Sequence, residues 1–361
     1  MAGQVKKYLG FSLLCICMMI FPFRASAHTD NSEGYSKLSM GDSGLVYEIQ
    51  LDYLELARIV DLGVTTNTTA SELVYALTKN ENKLEEYFHS KLAVFNQGAK
   101  VEGSLGETGV ERKLNRDYAN LTFHYPIKNK DSAALQIIYD IFFEDNDSAH
   151  RNIASYEIGD SKGQFVFTSE KRELHVGEQT IIGQSIPFIK LGFHHILIGL
   201  DHILFIIALV VTSKRFIDVL KIMTLFTLAH SVTIGLTALN LLSIPAEIVE
   251  PLIALSVAFV AIEKYIGLSE KYRNGVVFIF GLIHGIGFAG ALELNTTDWT
   301  AIWPIFTFNV GVEMGQALII ALLFPILILI RKYKWSYSVH LATNLAIFFI
   351  GLTWYFQRFL A

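Results

Sequence analysis

Histidine and aspartate side chains that could bind a metal ion lie inside an apolar stretch in the second half of the chain. The segment 193–202 holds four of them, His194, His195, Asp201 and His202. An α-helix turns by about 100° per residue, so His195 and His202 are predicted to project almost the same way two turns apart. His194 and Asp201 form a second pair with the same spacing. Four possible ligands therefore occupy two neighbouring stripes of one predicted helix.

Three further ionisable residues lie near the middle of later apolar stretches, and they are His230, His284 and Glu313. Counting from the helix ends at about 1.5 Å per residue places them and His202 at similar depths, near the centre of a bilayer. An ionisable group at the centre of a membrane helix costs about 2.5–3.5 kcal/mol on the insertion scale, so such groups usually have a function. The sequence therefore predicts a central site within a polar column that reaches the outer mouth, where Glu250 lies near the level of His194 and His195. The secondary members of the column are His194, Glu250, Ser231, Asn309 and Gln316.

Hydrogen bonding between helices is the simpler explanation of a polar residue in a membrane helix. A lone histidine often does no more than this, and the explanation stays open for His340 with Asn344. It accounts poorly for five ionisable groups at one depth. A metal site is the favoured interpretation for that set: Asp201, His202, His230, His284 and Glu313.

The available ligand types restrict the metal. Both cysteines, Cys15 and Cys17, lie in residues 1–27, whose basic start, apolar run and small-residue end are typical of a cleaved signal peptide. The mature chain would then hold no thiolate, and nitrogen and oxygen ligands without sulfur suit Ni²⁺, Co²⁺, Zn²⁺ or Mn²⁺. Cleavage would also leave His28 at the N-terminus, where its α-amine and imidazole could chelate copper or nickel.

The distribution of charge divides the chain into two predicted domains. Residues 28–185 hold 25 acidic and 15 basic side chains, whereas residues 186–361 hold 9 and 11. We expect an acidic extracytoplasmic domain over 28–180 and a membrane domain over 186–361. Because the net charge of the whole chain is −5, no large basic surface is expected and nucleic acid is not a predicted partner.

Short runs of β-branched and aromatic residues, separated by turn signals, predict strands in the first domain. Such runs lie at 45–51, 121–125, 135–143 and 164–168, and residues 71–92 have the apolar spacing of one or two helices. We expect a small, β-sandwich-like domain with a helical insertion. Its surface is a possible binding site for a periplasmic protein partner.

The second domain is predicted to be an α-helical membrane bundle of six transmembrane helices. A bilayer core requires about 20 apolar residues per helix, and six stretches reach that length: 188–212, 216–239, 246–267, 274–293, 301–330 and 336–358. Lysine and arginine are concentrated in alternate loops, which by the positive-inside rule places both termini outside the cytoplasm. The signal peptide requires the same placement. We therefore expect a multi-pass protein in the lipid bilayer of a bacterial inner (cytoplasmic) membrane.

Four motifs of the second domain occur in the order found in a known family. They are His195 with Asp201-His202 after five intervening residues, the segment 226–231, the run that begins at His284, and the segment 308–316. Together they resemble the HupE/UreJ family of hydrogenase and urease accessory membrane proteins, over about residues 188–355. The resemblance does not extend to the N-terminal domain, which short family members lack.

The resemblance implies a nickel permease, with His195, Asp201 and His202 in a metal pathway and His284 in a second functional motif. The chain departs from the family pattern at one point. The family motif has a phenylalanine before its His-Gly and a glutamate eight residues after that histidine, where this chain has Ile283 and Leu292. The resemblance is therefore to a long branch, in which nickel need not be the substrate.

Three functions fit the residues. The first is transport or handling of a divalent transition metal, nickel or cobalt before others, through the intramembrane site. The second is an intramembrane zinc hydrolase in which Glu313 or Asp201 acts as general base. The third is a membrane accessory or assembly protein with a structural metal. Residue spacing does not choose among them, and metal transport is the favoured prediction.

Overall fold

The structure is a computed structural model of the chain. It describes residues 32–64, 68–113, 116–127, 135–177, 181–239, 241–267, 269–292 and 302–360. The predicted signal peptide and His28 lie outside these residues.

Two β-sheets and three helices make up the described part of the N-terminal domain. The strands are β1 (Glu33–Met40), β2 (Leu45–Asp52), β3 (Leu92–Asn96), β4 (Ala99–Val101), β5 (Ser104–Lys113), β6 (Arg116–Tyr125), β7 (Leu135–Tyr139), β8 (Arg151–Ile158), β9 (Ser161–Phe167) and β10 (Glu173–His175). The helices are α1 (Tyr53–Ile59), α2 (Ala70–Lys79) and α3 (Glu81–Lys91).

The larger sheet has six strands in the order β5-β6-β2-β1-β8-β9, and the smaller has the order β10-β7-β3-β4. All paired strands are antiparallel except β1 and β8, which are parallel. The domain is therefore a mixed-sheet domain. The parallel pair joins segments more than 100 residues apart in sequence, a contact that local patterns do not reveal.

Alternation of apolar residues explains how the strands form a core. In β2, Leu45, Tyr47, Ile49 and Leu51 are each 1 % exposed or less, because successive side chains of a strand point to opposite faces. The predicted run 135–143 ends early as a strand. Its partner β3 begins only where α3 ends, and the strand pairing of β7 with β3 stops at Tyr139, opposite Leu92.

Helix α1 begins where the sequence supplies a cap. Asp52 precedes the helix, and its Oδ1 accepts hydrogen bonds from the backbone nitrogens of Leu54 and Glu55, at 3.0 and 3.2 Å. Helix α2 has the reciprocal arrangement, in which Glu72 accepts from the backbone and the hydroxyl of Thr69. These contacts satisfy the free N–H groups at a helix start. The helical spacing in 71–92 divides into two helices at Asn80, whose backbone nitrogen and side-chain Nδ2 both donate to the Ala76 carbonyl at the end of α2.

The buried imidazole of His150 makes the stability of this domain depend on pH. Its Nδ1 is 2.7 Å from Ser32 Oγ and its Nε2 is 2.9 Å from the Tyr139 hydroxyl. Burial lowers the pKa of His150 from 6.5 to about 3, although the nearby Asp147 carboxylate opposes the shift. Between those pH values the unfolded chain binds a proton that the folded domain does not. The free energy of unfolding should therefore fall by about 1.4 kcal/mol per pH unit as the pH drops below 6.5.

Hydrogen exchange of the β7 and β8 amides can test this prediction, since it reports local opening. After correction for the intrinsic exchange rates, protection in the wild type should decrease from pH 7 to pH 5, and the decrease should be smaller in a His150→Gln variant. Equal pH dependence in the two proteins would contradict the assignment.

Seven helices form the described part of the C-terminal domain. They are α4 (Ile181–Ile198), α5 (Leu200–Thr212), α6 (Phe216–Ala238), α7 (Ala246–Ile262), α8 (Glu270–Leu292), α9 (Ile302–Arg331) and α10 (Ser336–Leu360). One continuous cluster of buried apolar residues includes side chains of these helices and of the larger sheet, among them Tyr35, Tyr118, Ile153 and Val166. The N-terminal domain therefore packs directly on the helices.

The prediction of a six-helix transmembrane bundle is wrong. Within the described residues, three helices are long and apolar enough to cross a membrane, namely α6, α9 and α10. The number becomes four if the bent pair α4 and α5 acts as one span. The prediction that both termini lie outside the cytoplasm rested in part on six alternating spans, and it loses that support.

Three predicted spans are not among these helices, and two of them fall short for a physical reason that the structure shows. The stretch 188–212 is not one helix, because α4 and α5 meet at an angle of 71°. The stretch 246–267 forms α7, a helix of only 17 residues. Helix α8, which covers most of the stretch 274–293, is not among the helices that are long and apolar enough within the described residues. Hydropathy measures composition and does not detect a bend or an early helix end.

Charged residues tie four helices together at one end of this domain. The Nε of Arg273 on α8 lies 2.6 Å from Glu263 Oε1 at the end of α7, and its Nη2 donates to Thr212 Oγ1 on α5 at 2.8 Å. Lys264 donates to the Thr212 carbonyl at 3.2 Å, and Arg331 of α9 donates to the next carbonyl. Cations stabilise the free carbonyls of a helix C-terminus. This contact fixes the end of α5, whose other end carries the candidate site.

Candidate metal centre

A bend in the chain brings two histidines together. Helix α4 ends at Ile198, Gly199 has an extended backbone with φ −71° and ψ 97°, and α5 begins at Leu200. The imidazole centroids of His195 and His202, one on each helix, are 4.8 Å apart. A Cβ at residue 199 would lie 2.8 Å from His202 Nδ1 and 2.9 Å from the His195 carbonyl oxygen, so glycine leaves the room that both need. The two histidines meet across a bend and not along a straight helix.

Three histidines on three helices form the imidazole group: His195 of α4, His202 of α5 and His230 of α6. Each offers a ring nitrogen that lies within 4.8 Å of the others. The Nε2 atoms of all three are buried and have no hydrogen-bond partner among the described residues. A buried polar atom without a partner costs about 1–3 kcal/mol, so each needs a compensating ligand. A divalent transition metal is the ligand that several imidazole nitrogens suit best.

His284 of α8 adjoins the imidazole group. Its ring centroid is 5.1 Å from that of His202, and its Nδ1 is buried without a partner among the described residues. Its Nε2 is 2.9 Å from Ser256 Oγ on α7. It lies outside the set of nitrogens that are all within 4.8 Å of one another. His284 therefore supplies a fourth imidazole that lies next to the imidazole group without belonging to it.

Phenylalanine rings enclose these imidazoles. The Phe288 ring centroid is 4.0 Å from that of His195, and Phe308 is 5.7 Å from the same ring. Phe226 is 5.1 Å from His284. Apolar walls limit the access of water and so strengthen the binding of a cation by its ligands.

The two predicted carboxylate ligands lie in different places. Asp201 Oδ1 is 3.1 Å from His202 Nδ1 and 2.9 Å from the His202 backbone nitrogen, so it meets the imidazole group through His202. Glu313 instead accepts a hydrogen bond from Thr224 Oγ1 of α6 at 2.5 Å. Among the described residues, the clustered ligand atoms belong to histidines, and neither carboxylate is one of them.

Helices α6 and α9 share further polar contacts. Asn309 Oδ1 is 3.3 Å from His230 Nδ1, so Asn309 supports a member of the imidazole group. Gln316 accepts from Thr227 Oγ1 at 3.0 Å. Ser231 donates to the Thr227 carbonyl within its own helix, at 2.7 Å. Of the three secondary residues predicted here, only Asn309 contacts the imidazole group.

The outer secondary residues lie apart from the clustered nitrogens. His194 is not in the imidazole group, and Arg151 of the N-terminal domain acts on it electrostatically. Glu250 of α7 is half-buried, and its backbone carbonyl accepts from Arg358 Nη1 at 3.2 Å. His28 lies outside the described residues.

Sequence reasoning missed two residues of the site. Ser256 is the single hydroxyl in the apolar segment 251–262, and an isolated serine of this kind is a weak signal of a specific partner. Phe288 belongs to the motif that starts at His284, but its side chain has no ionisable or metal-binding group, and so the sequence gives no signal that it adjoins the site.

Comparison with known proteins places the helices in a family. No curated protein matches the chain. The family model described as HupE / UreJ protein matches residues 170–358, just over half of the 361 residues. Members of this family handle metals, and the three apolar helices fit a lipid bilayer. The chain belongs to the HupE/UreJ family.

Proposed function

We propose that the protein binds a divalent transition metal at the imidazole group and moves it through the membrane, with nickel or cobalt the first candidates. The observation that carries the proposal is the convergence of ring nitrogens of His195, His202 and His230, three histidines that each have a buried Nε2 without a partner among the described residues. Neutral imidazole favours the later transition metals over magnesium or calcium, which prefer oxygen. The metal is the cargo, and the imidazoles are its binding site inside the membrane.

A second position at His284 supports movement of the ion. Its Nδ1 faces no other partner among the described residues, and its ring is 5.1 Å from that of His202. An ion could exchange one imidazole for the next without losing nitrogen coordination. Passage requires sites that bind strongly enough for entry and weakly enough for release.

Entry is proposed at the side of Asp201. This side chain is 22 % exposed, and its carboxylate also contacts the buried His202. Arg358 is near enough to act electrostatically on the carboxylates of Asp201 and Glu250. These residues would form an outer level from which a cation reaches the imidazole group.

The proposed location is a bacterial inner membrane, with the N-terminal domain in the periplasm. The signal-peptide features of residues 1–27 support this side for the domain, and an even number of spans, such as four, would return the C-terminus to it. The 25 acidic against 15 basic residues of 28–185 would raise the local concentration of cations. A periplasmic protein partner that delivers metal would bind within residues 28–180.

A zinc hydrolase would use a similar set of ligands, since catalytic zinc sites keep three protein ligands and one open position. The carboxylates argue for transport over hydrolysis. Asp201 Oδ1 is engaged by His202, and Glu313 is bonded to Thr224. Neither is placed beside the free nitrogens as a general base.

Metal analysis of the purified full-length protein tests the proposal. After equilibrium dialysis against nickel, cobalt or zinc, we expect one exchangeable ion per chain, and in cells we expect expression to change the accumulation of the same metal. Stoichiometric zinc that survives dialysis against a chelator would favour the hydrolase. Absence of any bound metal under all three conditions would overturn both.

A further inference from the structure

Hydrogen-bond chemistry fixes which nitrogen of three of the site's imidazoles carries the proton. A neutral imidazole has one N–H donor and one bare acceptor nitrogen, and the partner of one nitrogen determines the state of the other. Each of His202, His230 and His284 has such a partner. The three partners come from different helices, α5, α9 and α7.

The first partner is the Asp201 carboxylate. The same Oδ1 atom accepts the backbone N–H of His202 at 2.9 Å, so it acts as an acceptor toward the His202 ring as well, at 3.1 Å. His202 Nδ1 must therefore carry the proton. This leaves Nε2 bare, and Nε2 is the buried atom that has no partner among the described residues.

The second partner is the Asn309 amide, whose orientation is fixed independently. Asn309 Nδ2 donates to the carbonyl of Ile305 at 2.8 Å, and a carbonyl can only accept. The amide oxygen therefore faces His230 Nδ1 at 3.3 Å. His230 Nδ1 donates to it, and Nε2 is again the bare nitrogen.

The third partner is Ser256, and here the roles of the two ring nitrogens are reversed. Its hydroxyl donates to the Ile253 carbonyl at 2.7 Å, so its oxygen is left to accept from His284 Nε2 at 2.9 Å. The proton of His284 lies on Nε2, and Nδ1 is bare. Nδ1 is also the atom of His284 that is buried without a partner. In all three histidines the unprotonated nitrogen and the unpartnered nitrogen are the same atom.

We infer that Asp201, Asn309 and Ser256 are positioning residues that hold His202, His230 and His284 in the tautomers required to present bare nitrogens to a cation. This inference rests on the proposed metal binding and deepens it. It gives Asp201 an orienting role in place of the ligand role expected from the sequence, and it brings in Ser256. Hydrogen-bond partners of this kind fix the orientation of a metal-binding imidazole and increase its basicity.

Nitrogen-15 spectra of the full-length, metal-free protein test the tautomers directly, because the shifts of protonated and bare ring nitrogens differ. Resonances are assigned from single histidine variants. We expect Nδ1–H for His202 and His230 and Nε2–H for His284. Observation of the opposite tautomer for His202 or His284 would overturn the inference, whatever the protein binds.

A matched pair of substitutions at Asp201 tests the consequence for binding. Asp201→Ala removes the acceptor, and the affinity for cobalt should fall by about 10- to 100-fold, with a change in the cobalt absorption spectrum. Asp201→Asn retains an acceptor oxygen and should keep the His202 tautomer and most of the affinity. Ser256→Ala should release the His284 tautomer while leaving that of His202 unchanged.

The outcomes separate the inference from the proposed function. If the wild type binds no metal, the proposed function fails. If the wild type binds metal but Asp201→Ala and Asp201→Asn lose the same affinity, the carboxylate acts through its charge and the positioning role is overturned.

Discussion

Replacing His202 with alanine is expected to lower the affinity for nickel or cobalt by more than about 100-fold, the largest effect of any single substitution in the site. The His202 ring lies 4.8 Å from His195, 6.4 Å from His230 and 5.1 Å from His284, so it adjoins every other imidazole of the site. Its removal leaves His195 and His230, whose ring nitrogens lie within 4.8 Å of each other, as a weaker site of two imidazoles, and takes away the ring that adjoins His284. Isothermal titration of the purified protein measures the loss.

The matched control is His194→Ala. His194 is the same residue type in the same segment, and its ring nitrogens are not among the clustered atoms of the described residues. It should retain binding within a few-fold of the wild type. Gel filtration and thermal unfolding of both variants establish that each remains folded. Equal loss of affinity in the two variants would contradict the assignment of the site, since it would point to a general effect of removing histidines.

The parts of the site that depend on residue type were predictable from sequence, and those that depend on backbone geometry were not. The seven-residue spacing of His195 and His202 predicted that their side chains project the same way, and the two ring centroids lie 4.8 Å apart. Their meeting depends on the bend at Gly199, and glycine occurs both inside straight membrane helices and at breaks. The spacing therefore predicted the proximity of this pair along one straight helix, whereas in the structure the proximity results from a bend between two helices.

The carboxylates show a second limit of sequence reasoning. Counting from the helix ends gives the depth of a residue but not the direction in which its side chain points. Glu313 shares helix α9 with Asn309, yet Glu313 bonds Thr224 while Asn309 bonds His230. The rotation of a helix is set by its packing against its neighbours, which no single helix encodes. This is also why Ser256, an ordinary residue in isolation, was missed.

Prediction of the fold failed where it used length and composition to infer the three-dimensional course of the chain. The strands of the N-terminal domain follow from alternation, as in β2, but the parallel pairing of β1 with β8 joins distant segments. The six apolar stretches were correctly identified as helical in the main, while the number of spans was overestimated. A 71° bend and a helix of 17 residues are invisible to an average over composition.

Close contact between α6 and α8 leads to the second prediction of a large effect, the substitution Gly285→Ala. A Cβ at Gly285 would lie 2.0 Å from Thr233 Oγ1 and 2.4 Å from the carbonyl oxygen of His230. The second of these atoms is backbone and cannot rotate away, so α8 must move. Overpacking of this kind costs about 1–3 kcal/mol. Because α6 carries His230 and α8 carries His284, the same movement should also weaken metal binding.

Gly275→Ala supplies the control on the same helix, because a Cβ at Gly275 meets nothing within 4 Å. There the substitution should be neutral or stabilising by up to about 1 kcal/mol, since alanine favours a helix over glycine. Thermal unfolding in detergent and cobalt titration of both variants measure the two effects together. Equal thermal stability and equal cobalt affinity of Gly285→Ala and Gly275→Ala would contradict the prediction. The positions of His230 and His284 would then not depend on the close approach of α6 and α8. A loss confined to Gly285→Ala would tie the affinity of the site to the packing of its helices, because the substituted residue is itself no ligand.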